Sequence, residues 1–327
     1  MDYSNIPSKE QYIIGVDVGG TNIKICIMDF HNNMVCKDSI PTNAYLPWQT
    51  IVKNMINSIE NMILNCKIKK EQCLYMGIGI PGIVDNLHGK VVYANNLGWR
   101  DVLISDEINK YLTIDVFLEN DANCAAYGEY IKGQGSSCGD MVLITLGTGV
   151  GTGIIIDGNI FSGSGLGGGE LGHTTLIYQG LQCSCGRKGC AEMYVSATAL
   201  IEQANTALKS DKTSLMNKLK EKEGNMNGEV PFKAAKMGDS LAISVVDQYK
   251  KYLGAFIVNV VNIFRPDAVF ISGGICNQGE SLLDTVREYV HINSYGSKVV
   301  DVPPVNIATL ENSAGMVGAA NLYKQYL

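Results

Sequence analysis

One pattern constrains this chain more than any other, because it occurs twice: an apolar run, a tight glycine turn and a second apolar run. The first copy is "YIIGVDVGGTNIKICIMDFHNN", turning at Gly19 and Gly20, with Ile23, Ile25 and Ile27 on one side of the returning strand and Lys24 on the other. The second is "MVLITLGTGVGTGIIIDGN", residues 141 to 159, with an Asp-Gly turn where the first has His-Asn. Between the copies, Ile51, Met55, Ile59, Met62 and Ile63 recur at helical spacing, and "CLYMGIGIPGIV" returns to a strand. The opening order β-β-α-β predicts an α/β lobe with a mixed sheet, and the repeat predicts a second, similar lobe. A length of 327 residues agrees, since single cores stop growing near 250 to 300 residues. The expectation is a two-lobed molecule with a cleft, in which each lobe offers a glycine hairpin. Residues 196 to 260 are mostly helical by pattern, "PDAVFISGGICNQG" is a late strand ending in glycines, and "SAGMVGAANLYKQYL" is a closing helix starting at Ser313.

Charge and cysteine usage narrow the function classes. A formal net charge of −6 argues against a nucleic-acid surface, which needs concentrated Lys and Arg. The short basic cluster of Lys67, Lys69 and Lys70 is expected to be a solvated face. No apolar run reaches membrane-spanning length, and "MDYSNIPSKEQ" lacks the basic and apolar regions of a secretory signal, so a cytoplasmic protein without membrane contact is expected. In that compartment ten cysteines argue against a disulfide framework and leave burial or metal binding. Cys26, Cys66 and Cys73 stand among apolar neighbours and are expected to be buried.

Three stretches carry chemistry. A glycine hairpin lets backbone N–H groups approach a polyanion, and two of them suggest a triphosphate, although ordinary turn chemistry explains either alone. Asp17 adds to the first: a carboxylate closing a buried strand beside Gly19, Gly20 and Thr21 is costly without a cation, and magnesium carried by a nucleotide is a natural partner. In "VFLENDANCAAYGEY", Glu119, Asn120 and Asp121 stand between a strand and a helix. Asn and Asp there serve as an N-cap, while Asp121 at a helix start is also placed to accept a hydroxyl proton, with Asn120 holding the substrate.

The third stretch is "HTTLIYQGLQCSCGRKGC", where His173, Cys183, Cys185 and Cys190 are separated by nine, one and four residues, with Gly186 and Gly189 at the turns. One imidazole and three thiolates form a closed tetrahedral zinc set, hence a structural site. Glu170 and Glu192 flank the cluster and are either surface glutamates or hydrogen-bonding groups for a polyhydroxyl ligand.

With those pieces placed, the chain resembles the ROK family (repressors, open reading frames and kinases) within the actin-like sugar kinases. The resemblance spans residues 12 to 325 and rests on "DVGGTNIK", "GIGIPGIVD", "NNLGW", "ENDANCAAYGE", "LGTGVGTGIIIDG", "GGGELGH", "CSCGRKGCAE" and "ISGGI". It implies an α/β, two-lobed actin-like (ribonuclease H-like) sugar kinase fold, with a small domain over residues 1–122 completed by 313–327 and a large domain over 123–312. It also implies ATP-dependent phosphorylation of a hexose, and the "NNLGW" and "CSCGRKGCAE" segments are most similar to those of bacterial glucokinases.

Carried over residue by residue, the resemblance makes Asp121 the catalytic base and places Asn95, Asn120, Glu170, His173 and Glu192 around the sugar. Asp17, Gly19, Gly20, Thr21, Asn22 and Lys24 become the first phosphate loop, Gly147, Thr148 and Gly149 the second, and Gly273 and Gly274 lie near the adenosine. ATP with Mg2+ is the expected donor, structural Zn2+ the expected metal and a homodimer the expected assembly. His173 would bind zinc through one ring nitrogen and face the sugar with its other edge. Family repressors carry an added N-terminal helix-turn-helix domain, whereas the first phosphate-loop strand begins here at residue 12, so none is expected. The family often has aspartate where Ser313 stands.

Overall fold

The computed structural model describes residues 11–164 and 166–327, so the opening "MDYSNIPSKEQ" lies almost wholly outside the described residues. In chain order the regular elements are β1 (Tyr12–Val18), β2 (Asn22–Asp29), β3 (Met34–Pro41), α1 (Trp48–Asn65), β4 (Cys73–Ile80), β5 (Ile83–Asp85), β6 (Lys90–Ala94) and β7 (Trp99–Leu103). Then follow α2 (Ile104–Asn109), β8 (Asp115–Asn120), α3 (Asp121–Lys132), β9 (Met141–Leu146), β10 (Val150–Ile156) and β11 (Asn159–Ile160). The helical region comprises α4 (Glu192–Val195), α5 (Ala197–Ala207), α6 (Leu215–Glu223), α7 (Glu229–Lys236) and α8 (Ser240–Phe264). The chain ends with β12 (Ala268–Ser272), α9 (Glu280–Asn293), β13 (Val305–Ile307), α10 (Ala314–Ala320) and α11 (Tyr323–Tyr326).

The chain divides into two compact units. The first runs to Cys138 and takes up Gly153–Gly169 and Thr309–Leu327; the second holds Gly139–Thr152 and Glu170–Ala308. The first sheet has the order β3-β2-β1-β4-β8 and the second the order β11-β10-β9-β12-β13. These are the same topology, which is the structural content of the sequence repeat. In each, a glycine hairpin joins the central strand to its neighbour, while β1, β4 and β8 run parallel in one sheet and β9, β12 and β13 in the other. A three-stranded sheet, β5-β6-β7, is inserted after β4 in the first unit.

In the first unit, the alternation along β2 sorts its side chains to two covered faces. Ile23, Ile25 and Ile27 pack in one buried cluster with Ile51, Val52, Met55 and Ile59 of α1. Cys26 and Met28 enter another with Met316, Val317, Ala319 and Ala320 of α10. Each such aliphatic side chain removed from water contributes about 1.5 to 3 kcal/mol. The expected β-β-α-β opening misses β3, and the reason is visible: as the edge strand it is mostly exposed and carries Lys37 and Asp38, so it has no apolar run to read. Lys67, Lys69 and Lys70 are exposed as expected. Of the three cysteines expected inside, Cys26 and Cys73 are buried and Cys66 is only half-buried at the end of α1.

The residues that read as one closing helix from Ser313 form a 3-10 turn over Glu311–Ser313, then α10 and α11. Helix α10, "AGMVGAA", is built mostly of small residues, and every one of its residues is buried. Its backbone lies directly on its neighbours: a Cβ added at Gly15 of β1 would stand 1.9 Å from the Met316 carbonyl, and one at Gly77 of β4 would stand 1.7 Å from that of Ala319. On the other side, Gly318 is so close to α3 that its Cβ would meet the Cys124 carbonyl at 1.7 Å. That contact keeps α3 with the first unit, whereas a domain boundary at residue 122 would fall within its first turn.

Gly318→Ala therefore forces two helix backbones apart. It is expected to destabilise the protein by about 3 kcal/mol or more despite alanine's better helix propensity. Gly228→Ala, whose Cβ would meet its nearest neighbour at 3.6 Å, should stay within about 1 kcal/mol of wild type. Denaturant midpoints of the two variants measure the difference, and equal midpoints contradict the packing described.

Candidate active site

The first hairpin belongs to the first unit. Gly19 donates its N–H to the Asn22 carbonyl at 2.9 Å, and the Thr42 hydroxyl donates to the Gly19 carbonyl at 2.6 Å, which ties the turn to the end of β3. Thr21 and Asn22 are exposed at the turn. Asp17 and Lys24 are cross-strand partners in the β1–β2 ladder, with Lys24 Nζ 3.4 Å from the Asp17 carboxylate. Burial pushes the Asp17 carboxyl above its ordinary range, and the Lys24 ammonium offsets this in part.

At the other edge of the same sheet, β8 runs straight into α3. Asn120 is the N-cap: its side-chain oxygen accepts the N–H groups of Ala122 at 2.8 Å and Asn123 at 3.2 Å. Asp121 is thus the first residue of α3, and its carboxylate accepts the Ala122 N–H at 2.9 Å. The capping role and a fixed position for Asp121 hold together, since the cap sets the helix start. Glu119, assigned no role from the sequence, is 4% exposed and accepts hydrogen bonds from Asn120, Asn123, Ser162 and Tyr326. Asn95 opens a 3-10 turn after β6 and accepts the Tyr93 hydroxyl at 2.8 Å.

The second hairpin belongs to the second unit. Gly147 donates its N–H to the Gly149 carbonyl at 3.0 Å and accepts from the Ala197 N–H that opens α5. Gly273, at φ 107°, follows β12, and a Cβ there would stand 2.2 Å from the Leu146 carbonyl at the end of β9. Gly274 faces open space. Glu192 braces this hairpin: its Oε2 accepts the Val150 N–H at 3.0 Å, and a Cβ on Gly149 would meet the same oxygen at 2.4 Å.

The other oxygen of Glu192 accepts the Cys183 thiol at 3.7 Å, which brings the cysteine loop into contact with the hairpin brace. His173, Cys183, Cys185 and Cys190 each present one ligand atom, and all four atoms lie within 4.8 Å of one another. His173 Nδ1 is 3.7 Å from Cys183 Sγ, and Cys185 Sγ is 3.6 Å from Cys190 Sγ. The loop is shaped for this by left-handed backbone at Gly186 (φ 90°) and Gly189 (φ 81°) and by Arg187, which donates to the His173 carbonyl and the Thr175 hydroxyl. Burial, with the neighbouring thiols, pushes Cys190 up to about 12, whereas the Arg187 backbone N–H holds exposed Cys185 below its ordinary range. Three thiols and an imidazole packed this closely are a set that could hold a metal ion. Glu170 precedes the short turn that carries His173 and is exposed.

Residues 13–326 match the ROK family. The chain belongs to the ROK family. It is 36% identical over 318 residues to a glucokinase of Halalkalibacterium halodurans, covering 97% of this chain and 96% of that protein. Among solved structures it is similar to a ROK family glucokinase from Streptomyces griseus in complex with glucose and AMPPNP. That likeness has a TM-score of 0.80 at 31% identity, covering 96% of this chain and 99% of the other. It is also 27% identical over 306 residues to a xylose repressor of Caldicellulosiruptor bescii, covering 94% of this chain and 76% of the repressor.

The ROK fold is thus the α/β sugar kinase fold that the motifs implied. Within it the structure brings Glu119, Asn120 and Asp121 together at one sheet edge, and His173, the three cysteines and Glu192 together around one loop. Two residues escape the sequence. Ser162 sits in a glycine-rich stretch with no motif of its own, and Tyr326 is the penultimate residue; neither carries a local signal for its bond to Glu119.

Removing one of the four residues tests whether the cluster holds a metal. Elemental analysis of wild-type protein should find one bound metal ion per chain, and Cys185→Ser should lose it with a lower melting temperature. A wild-type protein that is folded and metal-free contradicts the assignment.

Proposed function

We propose that this ROK protein is an ATP-dependent hexose kinase that phosphorylates glucose at its 6-hydroxyl. The observation that carries the reading is Asp121, fixed as the first residue of α3 by the Asn120 cap, in a chain related over nearly its full length to glucokinases. Asp121 accepts the proton of the 6-hydroxyl as that oxygen attacks the γ-phosphorus; the new O–P bond forms, the bond to the bridging β–γ oxygen breaks, and ADP leaves. The protein's work is positioning and charge neutralisation, with general base help of about 10²- to 10⁴-fold.

In this reading the backbone N–H groups of Gly19, Gly20, Thr21 and Asn22, with Lys24, and those of Gly147, Thr148 and Gly149 hold phosphate oxygens. Gly273 and Gly274 lie by the adenosine. Asn95, Asn120, Glu170, His173 and Glu192 hydrogen-bond the sugar. Magnesium enters with ATP and neutralises phosphate charge, with the Asp17 carboxylate as the nearby anion.

Zinc fits the cysteine loop. Zinc–sulfur bonds of about 2.3 Å at tetrahedral angles place sulfurs about 3.8 Å apart, close to the 3.6 Å between Cys185 Sγ and Cys190 Sγ. Four protein ligands leave no open position, so the metal would supply rigidity rather than chemistry, acting on the sugar side through His173 and Glu192. All ten cysteines are free thiols, which suits the cytoplasm, where ATP is also at hand. A homodimer completes the proposal.

The repressor relative favours a second reading, a sugar-responsive regulator without catalysis. Asp17, Asp121 and both glycine hairpins speak for the kinase, since sugar sensing needs no base and no phosphate loops. A kinase for another hexose, such as N-acetylmannosamine, allose or fructose, keeps the same mechanism.

Asp121→Asn separates the readings. The variant should keep its cap geometry and bind glucose with near-normal affinity by calorimetry, while kcat in a coupled ADP assay falls by about 10²- to 10⁴-fold. A near-normal kcat removes Asp121 from the role of base.

A further inference from the structure

The β8–α3 junction holds an acid that the transfer itself does not use. Glu119 is 4% exposed, and its two oxygens collect four donors. Oε1 accepts the backbone N–H of Asn120 at 2.7 Å and Nδ2 of Asn123 at 3.0 Å. Oε2 accepts Oγ of Ser162 at 3.1 Å and Oη of Tyr326 at 2.7 Å. A carboxylate offers about four lone-pair sites, so this one is saturated and has none left for a ligand. Its burial also makes the donors obligatory, because a buried carboxylate short of partners is strongly disfavoured.

The donors come from separate places in the first unit: the cap and first turn of α3, the glycine-rich segment after β11, and the last helix. Tyr326 is itself held, its ring stacked on Phe117 of β8 at 6.1 Å and 9°. Burial and the Glu119 charge push its phenol well above the ordinary range, so it remains a donor. Glu119 grips the backbone of Asn120, and the Asn120 side chain caps α3 and donates to the Gly82 carbonyl at 3.2 Å. The residue directly before Asp121 is therefore fixed through both backbone and side chain.

We propose that Glu119 is a positioning residue for phosphoryl transfer, locked by Tyr326 and Ser162, and that it aims Asn120 and Asp121 without touching substrate. The proposal rests on the kinase reading above. Losing a donor to Oε2 leaves the carboxylate free to turn and loosens its hold on the Asn120 N–H. A misplacement of about 1 Å in a reacting group is enough to cost about 10²-fold in rate.

The test uses the full-length enzyme with ATP and glucose. Tyr326→Phe keeps the stacked ring and removes one donor; Ser162→Ala removes the other donor to the same oxygen. Each should lower kcat by roughly 3- to 30-fold with the KM for ATP close to wild type, and should lower the melting temperature because a buried acceptor loses a donor. Glu119→Gln should lose more, and adding Tyr326→Phe to it should cost little further, because the hydroxyl acts through Glu119. Unchanged kcat in both Tyr326→Phe and Ser162→Ala overturns the proposal. So do losses that multiply in the double variant, or raised KM values for both substrates with kcat unchanged, which mark a merely structural contact. A wild-type protein inactive on every hexose overturns the kinase reading and this role with it, whereas an active wild type with unaffected variants overturns the positioning role alone.

Discussion

The backbone-to-backbone seat of α10 is the constraint on which the first unit depends. Seven buried residues, five of them Gly or Ala, lie against β1, β4 and α3 at distances that only glycine on one side or the other permits. A Cβ on Gly315 would meet the Asp17 carboxylate at 2.8 Å, so the same helix abuts the group proposed for magnesium. A Cβ on Gly128 of α3 would meet the Ala314 carbonyl at 2.1 Å, so it also sets the helix that begins with Asp121. A segment near the C-terminus thereby seats both residues proposed for chemistry in the first unit, and close-packed interiors transmit such placement without slack.

Buried carboxylates continue that logic. Glu129 is fully buried in α3 and accepts the Leu310 N–H at 2.5 Å and the Thr309 hydroxyl at 3.3 Å, anchoring the chain just before α10. Glu119 anchors the other end of α3 and reaches α11 through Tyr326. In the second unit the half-buried Glu192 braces the glycine hairpin through Val150 and lies beside Cys183 of the cysteine loop. Glu119 and Glu129 both accept protein donors, as buried charge requires.

What was legible in the sequence follows from where its information is local. The hairpins at Gly19–Gly20 and Gly147–Gly149 lie between apolar strands, so period and turn chemistry reveal both. The Cys183–Cys190 knuckle is readable because ligand spacing is nearly the whole specification of such a loop, and the Asn120 cap because capping is decided within a few residues. Edge strand β3 is exposed and charged, and so has no apolar period. The breaks among α10, α11 and the preceding 3-10 turn depend on tertiary seating, since "AGMVGAA" reads as continuous helix. The bonds from Ser162 and Tyr326 to Glu119 span 43 and 207 residues, and no pattern in one sequence encodes contacts at that separation.

The central claim is hexose phosphorylation by ATP, and the most direct measurement is a coupled ADP-release assay of zinc-replete protein. Glucose, N-acetylmannosamine, N-acetylglucosamine, allose and fructose are compared by kcat/KM, and the product is identified by phosphorus NMR. The account predicts the highest kcat/KM for glucose and a phosphate on its 6-oxygen. Folded, metal-loaded protein that releases no ADP with any of the five sugars contradicts it.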